Sequence, residues 1–215
     1  DFYFPLPPVA LLVEGTLPNL FVNPQLAEQY IQAAKWLAVS AVLFLIIRKF
    51  ASSAPVSFVA STLALTAYLT SPGNITAGYL ELAWLFILCA VLFAIKSFEA
   101  EIRVLHTLLF GMSVSLACLT KQSALAPAFV MLVTYGVLIT KSRSWKKRKT
   151  GHLSLAIGLA VPNVLFILWG IATGALMPAV EQIFGGGGKN PGSGKWIWWG
   201  LNSLAPSASV WPFVE

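Results

Sequence analysis

Long apolar runs, each closed by a short polar or helix-breaking stretch, set the pattern of the chain. Six are long enough to consider as helices. They cover 31–47, closed by Arg48 and Lys49; 56–70, entered through Pro55 and left through Ser71-Pro72-Gly73; and 80–95, ending at Lys96. The other three cover 104–120, 124–140 and 153–176. A helix rises about 1.5 Å per residue and a bilayer core is about 30 Å thick, so runs of this length predict transmembrane helices. Several lie near or below the usual minimum of about 17 residues, and these helices are expected to begin outside the hydrocarbon. The predicted fold class is all-α: a polytopic transmembrane bundle of about six helices, occupying 1–176. A Gly-rich and Trp-rich outer segment is expected over 177–215.

The flanks differ from the bundle. Residues 1–30 are rich in Pro and aromatic side chains, with an apolar stretch over 9–12 followed by Glu14-Gly15. This pattern predicts an interfacial helix lying on the outer leaflet. Beyond 176, Phe184-Gly185-Gly186-Gly187-Gly188-Lys189-Asn190-Pro191-Gly192-Ser193-Gly194-Lys195 reads as an outer loop, and Trp196, Trp198 and Trp199 suit a return to the headgroups. The chain starts at Asp1, with neither an initiator Met nor a secretory signal pattern, and is expected to be part of a longer membrane protein.

Composition agrees. Hydrophobic residues make up 57% and charged residues 10%, and mean hydropathy is +0.77. A soluble domain carries roughly 25% charged residues, so this chain could not cover a core with polar groups. The net charge of +6 raises the question of nucleic acid, and its distribution answers against it. Lys141, Arg143, Lys146, Lys147, Arg148 and Lys149 lie between two apolar runs, as a cytoplasmic loop obeying the positive-inside bias would. With 1–30 outside, three inner connections (48–49, 96–103 and 141–149) hold ten of the fourteen basic residues and two of the eight acids. Cys89 and Cys118 fall within apolar runs and read as small buried hydrophobes.

Motif chemistry is sparse. The glycine-rich loop is not a P-loop. Counting back from Gly194-Lys195 puts Lys189 where the first glycine belongs and Trp196 where a hydroxyl belongs; the register at Gly188-Lys189 fails likewise. It reads as a linker or as a loop covering a substrate. Asn74-Ile75-Thr76 is a formal glycosylation sequon on the outer side. His106 and His152 lie near inner helix ends without metal-ligand spacing.

Two residues carry more. Glu81 opens the third apolar run at its outer end. A carboxylate there is either an acid favoured by the helix N-terminus or a group facing a cavity or partner. Lys121 interrupts the stretch between 104 and 140 at its outer side, where the positive-inside bias disfavours a cation. Snorkelling to the headgroups would explain it; an anionic partner such as a phosphate explains it better.

Three segments resemble a known family. Gly111-Met112-Ser113-Val114-Ser115-Leu116-Ala117-Cys118-Leu119-Thr120-Lys121-Gln122 resembles the G-x-x-x-x-L-a-x-x-T-K segment of polytopic glycosyltransferases of the GT-C fold. The nearest branch is the protein O-mannosyltransferase and lipid A aminoarabinose transferase group. Asp1-Phe2-Tyr3-Phe4-Pro5-Leu6-Pro7-Pro8 is similar to the first outer loop of that group. Asn74-Ile75-Thr76-Ala77-Gly78-Tyr79-Leu80-Glu81-Leu82 is similar to the place where an acidic residue opens an apolar helix. The three fall in family order and cover most of residues 1–140.

The resemblance implies sugar transfer from a polyprenyl-phosphate carrier to a lipid, glycan or protein acceptor, at the outer face of the bacterial inner membrane. It implies inverting chemistry: a carboxylate deprotonates the acceptor, and cations or a divalent metal hold the leaving phosphate. Carried over by position, Glu81 is the catalytic acidic residue, Lys121 and Gln122 contact the donor phosphate, and Asp1 supports the first outer loop. The family's principal catalytic Asp would lie upstream of residue 1. The chain's own partners would then be the lipid-linked sugar donor, the acceptor and membrane lipids, with no nucleic acid. A secondary transporter or flippase-like protein is the alternative; it would place its charges nearer the midplane, in repeated elements.

Overall fold

The computed structural model describes residues 17–51, 53–69, 78–98, 103–121, 124–141 and 144–174, together with Val9 and Val13. Among these the regular structure is helical: a 3-10 turn at Leu17–Leu20, then α1 (Pro24–Phe50), α2 (Ala54–Leu69), α3 (Gly78–Phe98), α4 (Val104–Thr120), α5 (Leu125–Thr140) and α6 (Trp145–Thr173). Each predicted run becomes one helix. Two helices start seven or more residues before their apolar runs, α1 at Pro24 rather than 31 and α6 at Trp145 rather than 153. The reason at α1 is local: the Asn23 side chain accepts from Leu26 N–H at 3.1 Å, and Pro24 occupies the first helical position, where a missing N–H costs nothing. Residues 24–30, expected in the interfacial segment, therefore belong to α1. Most of 1–16, and all of 177–215, lie outside the described residues.

Three helices, α1, α3 and α6, are long and apolar enough to cross a membrane. With 16, 17 and 16 residues, α2, α4 and α5 span only about 24–26 Å at the standard rise. Apolar side chains cover the outside of the bundle: Leu37 is 72% exposed and Phe129 67%. In water such a surface would aggregate; hydrocarbon tolerates it.

Two compact units divide the chain, Asp1–Phe166 and Ile167–Glu215. The packing that follows belongs to the first. Here α1 packs on α2 and α3, and α4 packs on α3 and α5. Because α3 and α4 join through 99–103, they run antiparallel. The C-terminal ends of α1, α3 and α5 and the N-terminal ends of α4 and α6 therefore share one end of the bundle. Arg48, Lys49, Lys96, Arg103, Lys141 and Lys146–Lys149 all fall there, and we call it the basic end.

A hydroxyl chain fixes the register at that end. Tyr135 on α5 donates to Ser97 Oγ on α3 at 2.7 Å, and Ser97 lies 3.1 Å from Thr107 Oγ1 on α4. Thr107 in turn donates to the Arg103 carbonyl at 3.1 Å. Read in that direction, each hydroxyl proton is used once, so no buried donor is wasted. The Tyr135 ring stacks on Phe110 with centroids 4.1 Å apart and meets Phe98 edge-on. Phe110, Val114, Ala90, Ala128 and Ile139 complete the core around it.

One turn further along α4, glycine sets the distance to α6. A Cβ on Gly158 would lie 3.2 Å from Gly111 Cα and 3.1 Å from the Leu108 carbonyl carbon; one on Gly111 would lie 2.8 Å from the Leu155 carbonyl oxygen. Nothing flexible is available to move, because all of these atoms are backbone. Close backbone approach through small residues is how helices associate where lipid removes the hydrophobic drive. Asn163 Nδ2 donating to Ser115 Oγ at 2.8 Å adds a polar tie along the same contact. We expect Gly158→Ala to destabilise the bundle by about 1–3 kcal/mol through overpacking. By contrast Gly136→Ala, whose new methyl meets nothing within 4 Å, should be neutral or stabilising by up to about 1 kcal/mol. Thermal unfolding of both variants in detergent checks the contrast, and equal stabilities would refute the tight crossing.

Candidate functional site

Away from the basic end, α1 and α3 bring three polar side chains together inside the bundle. On α1 the packed stripe runs Ala27, Ile31, Lys35, Val39, each four residues from the next, so Lys35 stands in the middle of an otherwise apolar contact face. A snorkelling lysine would instead leave from the lipid-facing side. The Lys35 Nζ lies 3.5 Å from Glu81 Oε2, and both side chains are only 6% exposed. Gln32, one turn before Lys35, donates its Nε2 to the same Glu81 oxygen. Glu81 sits in the first turn of α3, where the helix dipole also favours a negative charge. Carboxylate, ammonium and amide thus satisfy one another where water is excluded, the condition under which a buried charge pair is tolerated.

The depth of the pair follows from counting along two helices. Lys35 is thirteen residues from Arg48 on α1, and Glu81 fifteen from Lys96 on α3. At about 1.5 Å per residue both lie about 20 Å along the bundle from the plane of the basic end. The helix α4 gives a third measure. Thr107 is level with Ser97 through their hydrogen bond, and Lys121 lies fourteen residues beyond Thr107, about 21 Å farther along. Lys121 therefore reaches the same layer as Lys35 and Glu81.

Lys121 stands where α4 ends. Its backbone is extended and its N–H closes the helix on the Ala117 carbonyl. The helix stops there, and α5 begins within four residues, with Pro127 in its first turn, where proline is permitted. The side chain is half-buried in the connection between the two helices.

Of the four residues expected in the site, then, Glu81 and Lys121 occupy one layer on neighbouring helices. Asp1 and Gln122 lie outside the described residues. Lys35 and Gln32 are additions that carry no motif. The signal for Lys35 was a cation inside the apolar run 31–47, in step with the four-residue stripe that packs. Among the described residues no group of three or more His, Cys, Asp or Glu side chains comes together. Cys89 and Cys118 are free thiols and only half-buried, less enclosed than expected. His106 stacks with Phe93 at 6.4 Å, and its Nδ1 is buried without a hydrogen-bond partner.

If Lys35 and Glu81 neutralise each other in a dry contact, removing one should cost more than removing both. Lys35→Met or Glu81→Gln alone is expected to destabilise by about 3–5 kcal/mol, and the double variant by clearly less. Additive losses in detergent unfolding would mean that the two charges are separately solvated.

Against known proteins, the chain matches no family model, no curated protein and no solved structure.

Proposed function

We propose that the protein is a membrane-embedded, inverting glycosyltransferase that moves a sugar from a polyprenyl-phosphate carrier to a lipid, glycan or protein acceptor. The observation that carries this reading is the buried Glu81 in one layer with Lys121, at the end of the bundle away from the basic loops. The GT-C resemblance assigns a carboxylate and a phosphate-binding cation to these two positions. In chemical terms, Glu81 accepts the proton of the acceptor hydroxyl as the hydroxyl oxygen bonds to the anomeric carbon. The bond from that carbon to the phosphate oxygen breaks, and polyprenyl phosphate leaves with the bonding pair. Lys121 offsets the charge gathering on that phosphate. The Gln32 and Lys35 contacts both reach Glu81 Oε2. Lys35 offsets the carboxylate's charge and Gln32 fixes its rotamer.

A second reading has one observation in its favour. A buried ion pair between membrane helices is also what proton-coupled transporters use, because an intramembrane ionisable group is costly and kept for a task. In that reading Glu81 would exchange protons with solvent during transport, and activity would be uptake rather than transfer.

Orientation is part of the proposal. All six helices cross, the basic end faces the cytoplasm, and the Glu81 layer faces outward. Single cysteines introduced into 141–149, in a background lacking Cys89 and Cys118, should resist an impermeant thiol reagent on intact cells and react after permeabilisation. Reaction on intact cells would reverse the topology and place the site on the wrong side for an outer-face transferase.

Kinetics tests the chemistry. With a radiolabelled polyprenyl-phosphate sugar, Glu81→Gln should lower turnover about 100-fold or more. Lys121→Met should lower kcat/KM for the donor roughly ten- to hundred-fold, as loss of a charge-assisted contact does. Lys121→Arg should recover part of that, since the charge returns on a differently shaped head. Donor kinetics unchanged in Lys121→Met would leave the residue a snorkelling lysine and remove the phosphate site. Proton-dependent uptake without donor consumption would establish the transporter reading instead.

A further inference from the structure

The first two turns of α6 carry a feature unrelated to the Glu81 layer. The bundle-facing side of this helix is Gly151, Ser154, Leu155, Gly158 and Pro162, all buried. Opposite it, at spacings of four and three, lie Trp145, Lys149 and His152, all exposed, with exposed Lys146 beside them. Trp145 is 72% exposed. Its ring carries the Arg148 guanidinium, whose carbon lies 5.2 Å from the ring centroid. The Arg148 Nε is buried without a hydrogen-bond partner, and the side chain as a whole is half-buried. Cationic groups and an indole therefore share the face turned away from the protein.

Depth decides what that face meets. Gly158 touches Gly111, which lies four residues beyond Thr107 on α4, so the contact is about 6 Å inside the Ser97–Thr107 level. Counting back along α6 from Gly158, His152 lies about 3 Å outside that level, Lys149 about 7 Å and Lys146 about 12 Å. With the hydrocarbon edge near Lys96, His152 and Lys149 fall within the headgroup layer, which is about 5–8 Å thick on each side, and Lys146 reaches just beyond it. The exposed apolar residues Leu153, Ala156 and Ile157 follow at once on the same helix, ready for acyl chains. A soluble nucleic acid or protein would have to enter the headgroup layer to reach Lys149 and His152; a lipid phosphate is already there.

We propose that Lys146, Arg148, Lys149 and His152, with Trp145, form a binding site for the phosphate headgroup of an anionic lipid in the leaflet at the basic end. The site holds whichever side of the membrane that end faces, and it is independent of the transferase reading. Trp145 covers the headgroup, Arg148 and Lys149 contact the phosphate, and the acyl chains lie along Leu153 and Ile157.

The test uses the whole chain reconstituted in phosphatidylcholine bilayers containing a trace of spin-labelled phosphatidylglycerol or spin-labelled phosphatidylcholine. Electron paramagnetic resonance reads the motionally restricted fraction of each. The parent should restrict phosphatidylglycerol several-fold more than phosphatidylcholine. Lys146→Gln with Lys149→Gln, both at exposed positions, should bring that preference to unity, since each cation near the surface contributes about a factor of five. Arg48→Gln with Lys49→Gln removes the same charge from the same end and should leave most of the preference intact. An equal loss in the two double variants would mean a diffuse surface potential and overturn the site. So would a parent without preference, or a preference abolished by about 10 mM soluble glycerol phosphate, which would assign the groups to a soluble anion. If the double variant fails to insert, Lys149→Gln alone gives the same comparison against Arg48→Gln.

Discussion

The register between α3, α4 and α6 is the constraint on which the remaining geometry rests. Hydrocarbon offers no hydrophobic drive to hold helices together, so contacts must be made by close packing and by hydrogen bonds that have nowhere else to go. Two such contacts act on α4 one turn apart, at Thr107 and Gly111. The Tyr135–Ser97–Thr107 chain ties it to α3 and α5, and the Gly111–Gly158 approach ties it to α6. A helix clamped at two heights can neither slide nor rotate far, because sliding by one residue would leave buried hydroxyls unpaired and drive backbone into backbone. Every depth in the bundle is then determined by counting residues from these clamps.

Much of this was legible in the pattern of apolar runs, and the exceptions have physical causes. Helix count and order followed from the runs because, in lipid, a spanning backbone must satisfy its own hydrogen bonds and a helix is the simplest way. Starts were less legible. A helix continues into the polar interface for as long as its cap allows, and Asn23-Pro24 allowed α1 to begin well before Ile31. Glu81 and Lys121 stood out because each breaks an apolar run near its end. Lys35 did not, since one cation among seventeen mostly apolar positions changes the average little. Its meaning lies in phase: it falls on the four-residue stripe that faces α3, and only the neighbouring helix reveals a carboxylate waiting there. Gly158 was equally silent, because glycine in a membrane helix has no meaning until the partner backbone is placed.

Charge in the bundle is arranged in two layers, and the layers obey different rules. At the basic end Arg48, Lys49, Lys141, Lys146 and Lys149 occupy exposed positions, whereas Lys96 and Arg148 are half-buried. The second layer lies about 20 Å away along the helices. There Lys35 and Glu81 are buried against each other, and Lys121 is withdrawn into the connection between α4 and α5. The first layer costs little and would be expected in any protein that follows the positive-inside bias. The second is expensive: each charge must be desolvated, and replacing such a pair with well-packed apolar residues is often neutral or stabilising. A bundle that needed only to span the membrane could have placed Leu at Lys35 and Glu81, kept the same stripe and lost nothing in packing. The chain instead holds a carboxylate and two cations, on three successive contacts of the bundle, at one depth. That expenditure is the physical reason to look for chemistry in the layer of Glu81 rather than at the basic end, where charge is abundant but cheap.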